Sequence, residues 1–128
     1  MNKPLVSILI PVFNRDELVG AAIESALNQS YESVEIIIGD NCSTDETWKV
    51  IKDYSSRDRR IIAFRNDTNI GPVKNWKKCL DFASGEYVKI LFSDDILMTN
   101  CIEKMVNALI SHSDCAFVFS TVVIGPNI

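Results

Sequence analysis

Leu5-Val-Ser-Ile-Leu-Ile-Pro-Val12 is a near-continuous apolar run, where a strand with one wet face would alternate apolar and polar residues. Such a run marks a strand covered on both faces, as parallel strands are when helices pack above and below the sheet. Val34-Glu-Ile-Ile-Ile-Gly39 and Tyr87-Val-Lys-Ile-Leu-Phe92 repeat the signature, Ile61-Ile-Ala-Phe64 is a shorter version and Cys115-Ala-Phe-Val-Phe-Ser120 a fifth. Between them, apolar residues recur at helical spacing: Leu18, Ala22, Ile23, Ala26 and Leu27; Trp48, Ile51 and Tyr54; Val73, Trp76, Leu80 and Ala83; Ile102, Met105, Val106, Leu109 and Ile110. The resulting βαβαβαβαβ order, with right-handed crossovers, predicts an α/β fold: a doubly wound, mainly parallel sheet in three α/β/α layers.

Local signals place the ends of these elements. Asn14 with Glu17, and Ser43 with Glu46, have the spacing of capping boxes. Gly71-Pro72 opens the third helix, since proline is tolerated in a first turn, and Gly85 is expected as its C-cap. His112 ends the fourth helix, where a cation complements the helix dipole. Trp48 and Trp76 are expected in the core.

At 128 residues, 47% of them hydrophobic, the chain suits one domain over residues 1–128 with a real core. No apolar run approaches the ~18 residues of a membrane span, and Met1-Asn-Lys-Pro lacks a signal-peptide pattern, so a cytoplasmic protein is expected. A net charge of −4 with scattered basic residues argues against nucleic-acid binding. Cys42, Cys79, Cys101 and Cys115 have no C-x-x-C spacing and His112 is the single histidine, so neither a zinc site nor a redox dithiol is indicated; reduced, mostly buried thiols are expected.

Two apolar runs end on acids. Tyr87–Phe92 leads into Ser93-Asp94-Asp95, and Val34–Gly39 into Asp40. Strand carboxyl ends are where α/β sheets bind ligands, and two adjacent carboxylates repel unless something positive lies between them, most simply a divalent cation carrying an anionic substrate. The bland alternative is that strand-terminal Asp residues serve turns and caps. No G-x-G-x-x-G, G-x-x-x-x-G-K-[ST] or G-x-S-x-G is present, which removes the signatures of dinucleotide-binding, P-loop and α/β-hydrolase proteins.

Five segments in order resemble the N-terminal half of family 2 glycosyltransferases of the GT-A fold, along nearly the whole chain. Ser7-Ile-Leu-Ile-Pro-Val-Phe-Asn-Arg15 is similar to that family's opening strand and turn, and Ile23-Glu-Ser-Ala-Leu-Asn-Gln-Ser-Tyr31 to the helix and turn that follow. Asp40-Asn-Cys-Ser-Thr-Asp45 resembles the D-D-G-S-T-D segment, Asn69-Ile-Gly71 with Asn75 the N-x-G…N segment, and Ala83-Ser-Gly-Glu-Tyr87 with Ser93-Asp-Asp95 the A-x-G-E-Y…D-x-D-D stretch. Asn41 stands where the family has its second Asp, Cys42 where it has Gly, and Phe92 where the first acid of a literal D-x-D would stand. Strand alternation groups Phe92 with Val88 and Ile90 and predicts its burial.

The resemblance implies a donor domain that binds a nucleoside-diphosphate sugar, UDP-linked, for inverting transfer to a glycan or lipid-linked acceptor. Pro11, Phe13 and Arg15 would lie beside the nucleotide, Asp40 would accept the N3–H of the base, Asp94 would hold the ribose hydroxyls and Asp95 would ligate Mn²⁺ or Mg²⁺. Hard oxygen ligands suit either ion. Lys74 would reach the diphosphate or be merely solvated, and Arg65 would contact base or phosphate or form a surface ion pair. No catalytic base is assigned: the resemblance implies that base and acceptor site lie downstream of Ile128, in a longer protein working in the cytoplasm or at the inner face of the membrane. The chain by itself is then expected to bind donor without transferring sugar, and to self-associate through sheet surface left uncovered.

Two other readings are weaker. A nucleotidyltransferase would carry a Gly- and basic-rich triphosphate loop where this chain has Pro11-Val-Phe-Asn-Arg-Asp16, and a phospho-receiver module would place acids after its first strand.

Overall fold

The computed structural model describes residues 3–125. Its sheet is built from β1 (Val6–Val12), β2 (Val34–Asp40), β3 (Ile61–Arg65) and β4 (Tyr87–Ile90), all parallel, in the order β3-β2-β1-β4. Helices α1 (Val19–Leu27), α2 (Thr47–Arg57) and α3 (Pro72–Asp81) make the crossovers, and α4 (Cys101–Ser111) follows β4. Every residue of β1 is buried, and all of β2 except Glu35, the two-sided burial that their apolar runs require.

The connections β1 to β2 to β3 step one way across the sheet, and the connection to β4 returns past both. Right-handed crossovers stepping in opposite directions pass over opposite faces. Accordingly Ile23 of α1, Ile51 of α2, and Ile102 and Val106 of α4 pack with Ile8, Ile10, Ile36 and Ile38 on one face. On the other, Cys79 of α3 packs with Leu9 and Ile37. The build direction reverses at β1, so the crevice at the carboxyl ends of β1 and β4 is the topological switch point, where open α/β sheets receive ligands.

One helix cannot cover a four-stranded face. Val88, Ile90 and Phe92 share the side of the sheet on which α3 lies, yet α3 sits over β1 and β2, leaving them 44%, 40% and 42% exposed. Phe92 is therefore not buried as alternation predicts: the alternation groups it correctly, but with a side that has no helix above it. Trp76 of α3 meets Phe92 edge-on, with ring centroids 5.4 Å apart, and is itself half-exposed rather than core. Trp48 does pack against the main core.

Residues 115–120 do not form the expected fifth strand. Phe117 and Phe119 are exposed, and among the described residues no strand pairs with this segment. Strand-forming side chains need a ladder partner before they gain anything from extension, and none is present there. β4 ends at Ile90, two residues earlier than expected, although the Leu91 N–H still donates to the Leu9 carbonyl at 2.8 Å.

Gly85 is not a helix cap, because α3 ends at Asp81 with Phe82 as its C-cap residue. Its smallness serves close approach: a Cβ there would lie 2.7 Å from the Ser7 backbone nitrogen and 2.8 Å from the Leu5 carbonyl. The same corner is tied down by Glu35, whose carboxylate accepts bonds from the Ser7 hydroxyl and from the Ser84 N–H and hydroxyl. Burial pushes the Glu35 carboxyl up, but these bonds outweigh it and hold it below its ordinary value. Of the four free cysteines only Cys79 is buried, its thiol pushed up to about 12 by burial; Cys42 and Cys101 are half-buried and Cys115 is exposed, against the expectation of mostly buried thiols. Among the described residues no helix is long and apolar enough to cross a membrane.

Candidate active site: the nucleotide crevice

The loops leaving β1 and β2 are bolted together. Asn14 takes a left-handed backbone conformation (φ 49°), which asparagine tolerates better than most residues. Its side-chain oxygen accepts the Thr44 N–H at 2.8 Å, while its own N–H donates to the Ser43 hydroxyl at 2.9 Å. Arg15 N–H donates to the Thr47 hydroxyl at 2.8 Å. Neither expected capping box forms: the N-cap residues of α1 and α2 are Leu18 and Glu46, without side-chain caps, and Asp45 instead accepts the Thr47 N–H at 2.9 Å. Asn14 and Ser43 are taken up by partners some thirty positions away, which local spacing cannot reveal. The lock leaves the Phe13 and Arg15 side chains exposed at the mouth of the crevice.

Asp40 is fully buried. It accepts the Ser43 N–H at 3.2 Å, takes a short bond from the Ser43 hydroxyl and pairs with Arg65 Nε at 3.1 Å. Arg65 is set opposite by register and also donates to the Ser43 carbonyl at 2.7 Å. Acid and arginine are consumed in holding the loop after β2. Neither side chain is among those that line the crevice.

The crevice is a cavity of about 350 Å³ between the ends of β1 and β4 and the start of α3, lined by Pro11, Val12, Phe13, Arg15, Asn41, Asn69, Pro72, Asn75, Trp76, Phe92, Ser93 and Asp94. Of the residues proposed from sequence, Pro11, Phe13, Arg15 and Asp94 meet in it. Lys74 is exposed in the first turn of α3 and is not part of the lining. Its floor was not anticipated: Asn41, Asn66 and Asn75, all nearly fully buried, form with Asn69 one hydrogen-bonded cluster linking the ends of β2, β3 and α3. The N-x-G…N segment was the one signal that pointed there.

Asp94 and Asp95 occupy a tight turn after β4 in which the Asp95 N–H donates to the Phe92 carbonyl at 3.0 Å. Both carboxylates are exposed; Asp94 lines the cavity and Asp95 stands just outside it. The segment beyond is held by buried Gln29, which donates to the Met98 carbonyl (2.9 Å) and accepts the Ile102 N–H (3.0 Å), and by Ser25, which accepts the Leu97 N–H (3.1 Å). Sequence reading gave Gln29 no role; a buried amide in a turn was its only signal. Among the described residues no cluster of three or more His, Cys, Asp or Glu could enclose a metal by itself. Two exposed neighbouring carboxylates do suit an ion such as Mg²⁺, which keeps several waters and is held by one or two carboxylates together with substrate phosphates.

A doubly wound parallel sheet with a crevice and exposed carboxylates at its switch point defines an α/β domain of the kind that receives ligands at strand carboxyl ends. The sequence matches the model of glycosyl transferase family 2 over residues 7–128, and the chain belongs to that family. It is 39% identical over 103 residues to the Escherichia coli UDP-Glc:alpha-D-GlcNAc-diphosphoundecaprenol beta-1,3-glucosyltransferase WfaP, covering 80% of this chain and 40% of that one. Its fold is the GT-A fold of S. aureus TarS 1-349 in complex with UDP-GlcNAc (TM-score 0.79, 24% identity, 85% of this chain, 32% of that one). It is likewise that of the mannosyltransferase PcManGT from Pyrobaculum calidifontis in complex with GDP-Man and Mn²⁺ (TM-score 0.74, 20% identity, 84% and 32%). The chain spans less than half the length of the relatives it matches.

Proposed function

We propose that this chain is the donor-binding half of an inverting glycosyltransferase that takes a nucleoside-diphosphate sugar, UDP-linked, with a divalent cation. The observation that carries this reading is the pairing of a preformed crevice, walled by apolar and polar side chains together, with the two exposed carboxylates of Asp94 and Asp95 at its rim. In that crevice Phe13 offers an aromatic face to a base, Arg15 a cation to the diphosphate and Asp94 an acceptor for ribose hydroxyls. Asp95, with Asp94 beside it, would hold Mn²⁺ or Mg²⁺, which when bound supplies Lewis-acid stabilisation of the departing diphosphate. WfaP, by its name a user of UDP-Glc on a diphosphoundecaprenol acceptor, supports a UDP-sugar donor and a lipid-linked or glycan acceptor. The two solved relatives hold uracil and guanine nucleotides on one fold, so the base is chosen by side chains and not by the fold.

Inverting transfer needs a base on the acceptor side, opposite the leaving group. Asp94 is the sole carboxylate among the cavity-lining residues and is committed to the donor side. The 128-residue chain therefore binds donor without transferring it, and its bare apolar side, with Trp76, Leu80, Val88, Ile90 and Phe92 exposed, drives self-association visible as concentration-dependent light scattering. The function is tested by calorimetry of UDP binding with Mn²⁺ and with EDTA: clear binding in the first and weak binding in the second is expected, and equal affinity would remove the metal from the account.

A further inference from the structure

The Asp94-Asp95 turn has little support of its own. On one side Leu91 is buried and its N–H donates to the Leu9 carbonyl; on the other Leu97 packs against the main core. Between those two residues the only hydrogen bond among the described residues is that of the Asp95 N–H to the Phe92 carbonyl. Where the two carboxylates stand is therefore set by what holds the ends of this span. The sheet holds the Leu91 end, whereas the far end lies outside any strand or helix until α4 begins at Cys101 and has to be held by other parts of the chain.

Gln29 holds it. Its side chain is buried and bonds to backbone alone. A carbonyl can only accept and an N–H can only donate, so the amide has one orientation: Nε2 donates to the Ser25 carbonyl at 3.0 Å and to the Met98 carbonyl at 2.9 Å, and Oε1 accepts the Ile102 N–H at 3.0 Å. The Ser25 carbonyl belongs to the last turn of α1 and the Ile102 N–H to the first turn of α4, whose N-cap residue Asn100 makes no side-chain bond. One amide thus satisfies an orphan acceptor of one helix and an orphan donor of another, and grips the loop between them. Ser25 adds a bond from the Leu97 N–H at 3.1 Å, and the Ser30 N–H donates to the Thr99 carbonyl at 2.8 Å.

Water or a flanking residue could satisfy either helix end. What this amide adds is a link across the crevice. At its other end α1 begins on the Arg15 carbonyl, which accepts the Val19 N–H at 2.8 Å, so a single helix connects Arg15 on the β1 side to the segment that follows Asp95 on the β4 side. Resting on the cation and nucleotide reading of the crevice, we propose that Gln29 is a positioning residue for the cation: by tying the segment after Asp95 to α1, it holds Asp94 and Asp95 in a fixed relation to Arg15, so that one ion can meet the carboxylates and the diphosphate together. Groups that orient metal ligands without touching the metal act in this way.

The test is calorimetry of UDP with saturating Mn²⁺ and with EDTA, the ratio of the two affinities being the gain that the cation brings. In Gln29→Met, which keeps the length of the side chain and loses the amide, UDP affinity in EDTA is expected to be unchanged while the gain falls by about tenfold. Ser25→Ala, which loses the bond to Leu97, should lower the gain by about threefold, and it decides the matter should Gln29→Met fail to fold. Ile51→Val, which removes one methyl group from the same core, should lower stability to urea and leave the gain intact. An unchanged gain in folded Gln29→Met, a loss of gain that Ile51→Val shares, or an equal loss of affinity in Mn²⁺ and in EDTA overturns the proposal while leaving the crevice a cation-dependent nucleotide site. Absence of any gain in the wild-type chain overturns the cation reading itself, and this inference with it.

Discussion

Asp40 and Asp94 carry the same sequence signature, an acid directly beyond an apolar strand, and the structure gives them opposite conditions. Asp40 ends a central strand, is shut away from solvent and has each oxygen engaged by Ser43 or Arg65. Asp94 follows β4 at the margin of the sheet, is exposed, and has a second free carboxylate, Asp95, beside it. Two like charges left side by side at a cavity rim are poorly arranged for stability and well arranged for a cation, whereas a buried carboxylate with every partner supplied by its own chain is arranged for folding. On the proposed function, a strand-terminal acid whose neighbouring loops supply no partners, as at Asp94, is the one left for a ligand.

The contrast is sharpest in stability. Asp40→Ala should cost about 3 kcal/mol, the low end for removing one partner of a buried pair because Arg65 can turn to solvent. Asp94→Ala should cost less than about 0.5 kcal/mol, as for other exposed substitutions. Urea unfolding of the two variants measures both, and equal losses would erase the distinction. Binding should show the reverse order. Asp95→Asn should weaken Mn²⁺-dependent UDP binding by about 2 kcal/mol through loss of a charged ligand, with the melting temperature unchanged or slightly raised as the repulsion with Asp94 is relieved. If Asp95→Asn binds as wild type does, Asp95 is only a turn residue.

A smaller effect tests the opposite rim, where Glu35 fastens the Ser84-Gly85 corner. Its carboxyl is held below the ordinary 4.5, so its contribution to stability is fully present above that pH and is lost as pH falls through the lowered value. Glu35→Gln should therefore be less stable than wild type at pH 7, by under about 1 kcal/mol once solvent screening is counted, with the gap closing toward pH 3. A gap that is constant with pH would assign Glu35 a packing role alone.

How far the sequence could be read follows the range of the interactions involved. Four strands, four helices and the parallel order were legible because burial pattern and helical period are local properties of the chain. Asn14, Ser43 and Gly85 were misassigned because each is claimed by a partner far along the chain, Thr44, Asn14 and the β1 backbone, and a spacing rule sees only what lies within a turn. Phe92 was placed on the right side of its strand, but how many helices cover a side is a property of the whole topology. The segment 115–120 has strand composition but, among the described residues, no ladder partner. Pro11, Phe13, Arg15 and Asp94, singled out at strand ends, line the cavity, while Asp40 and Arg65, also at strand ends, pair with each other.

The central claim is that the cation is held at the end of β4 and not at the end of β2. Paramagnetic broadening tests it most directly: Mn²⁺ is titrated into the isotopically labelled chain in the presence of UDP and the loss of each amide signal is followed. Broadening should be strongest at Ser93, Asp94 and Asp95, extend to Phe13 and Arg15, and vanish in Asp95→Asn. Broadening centred on the loop after Asp40, or spread evenly over the acidic surface, would contradict the account.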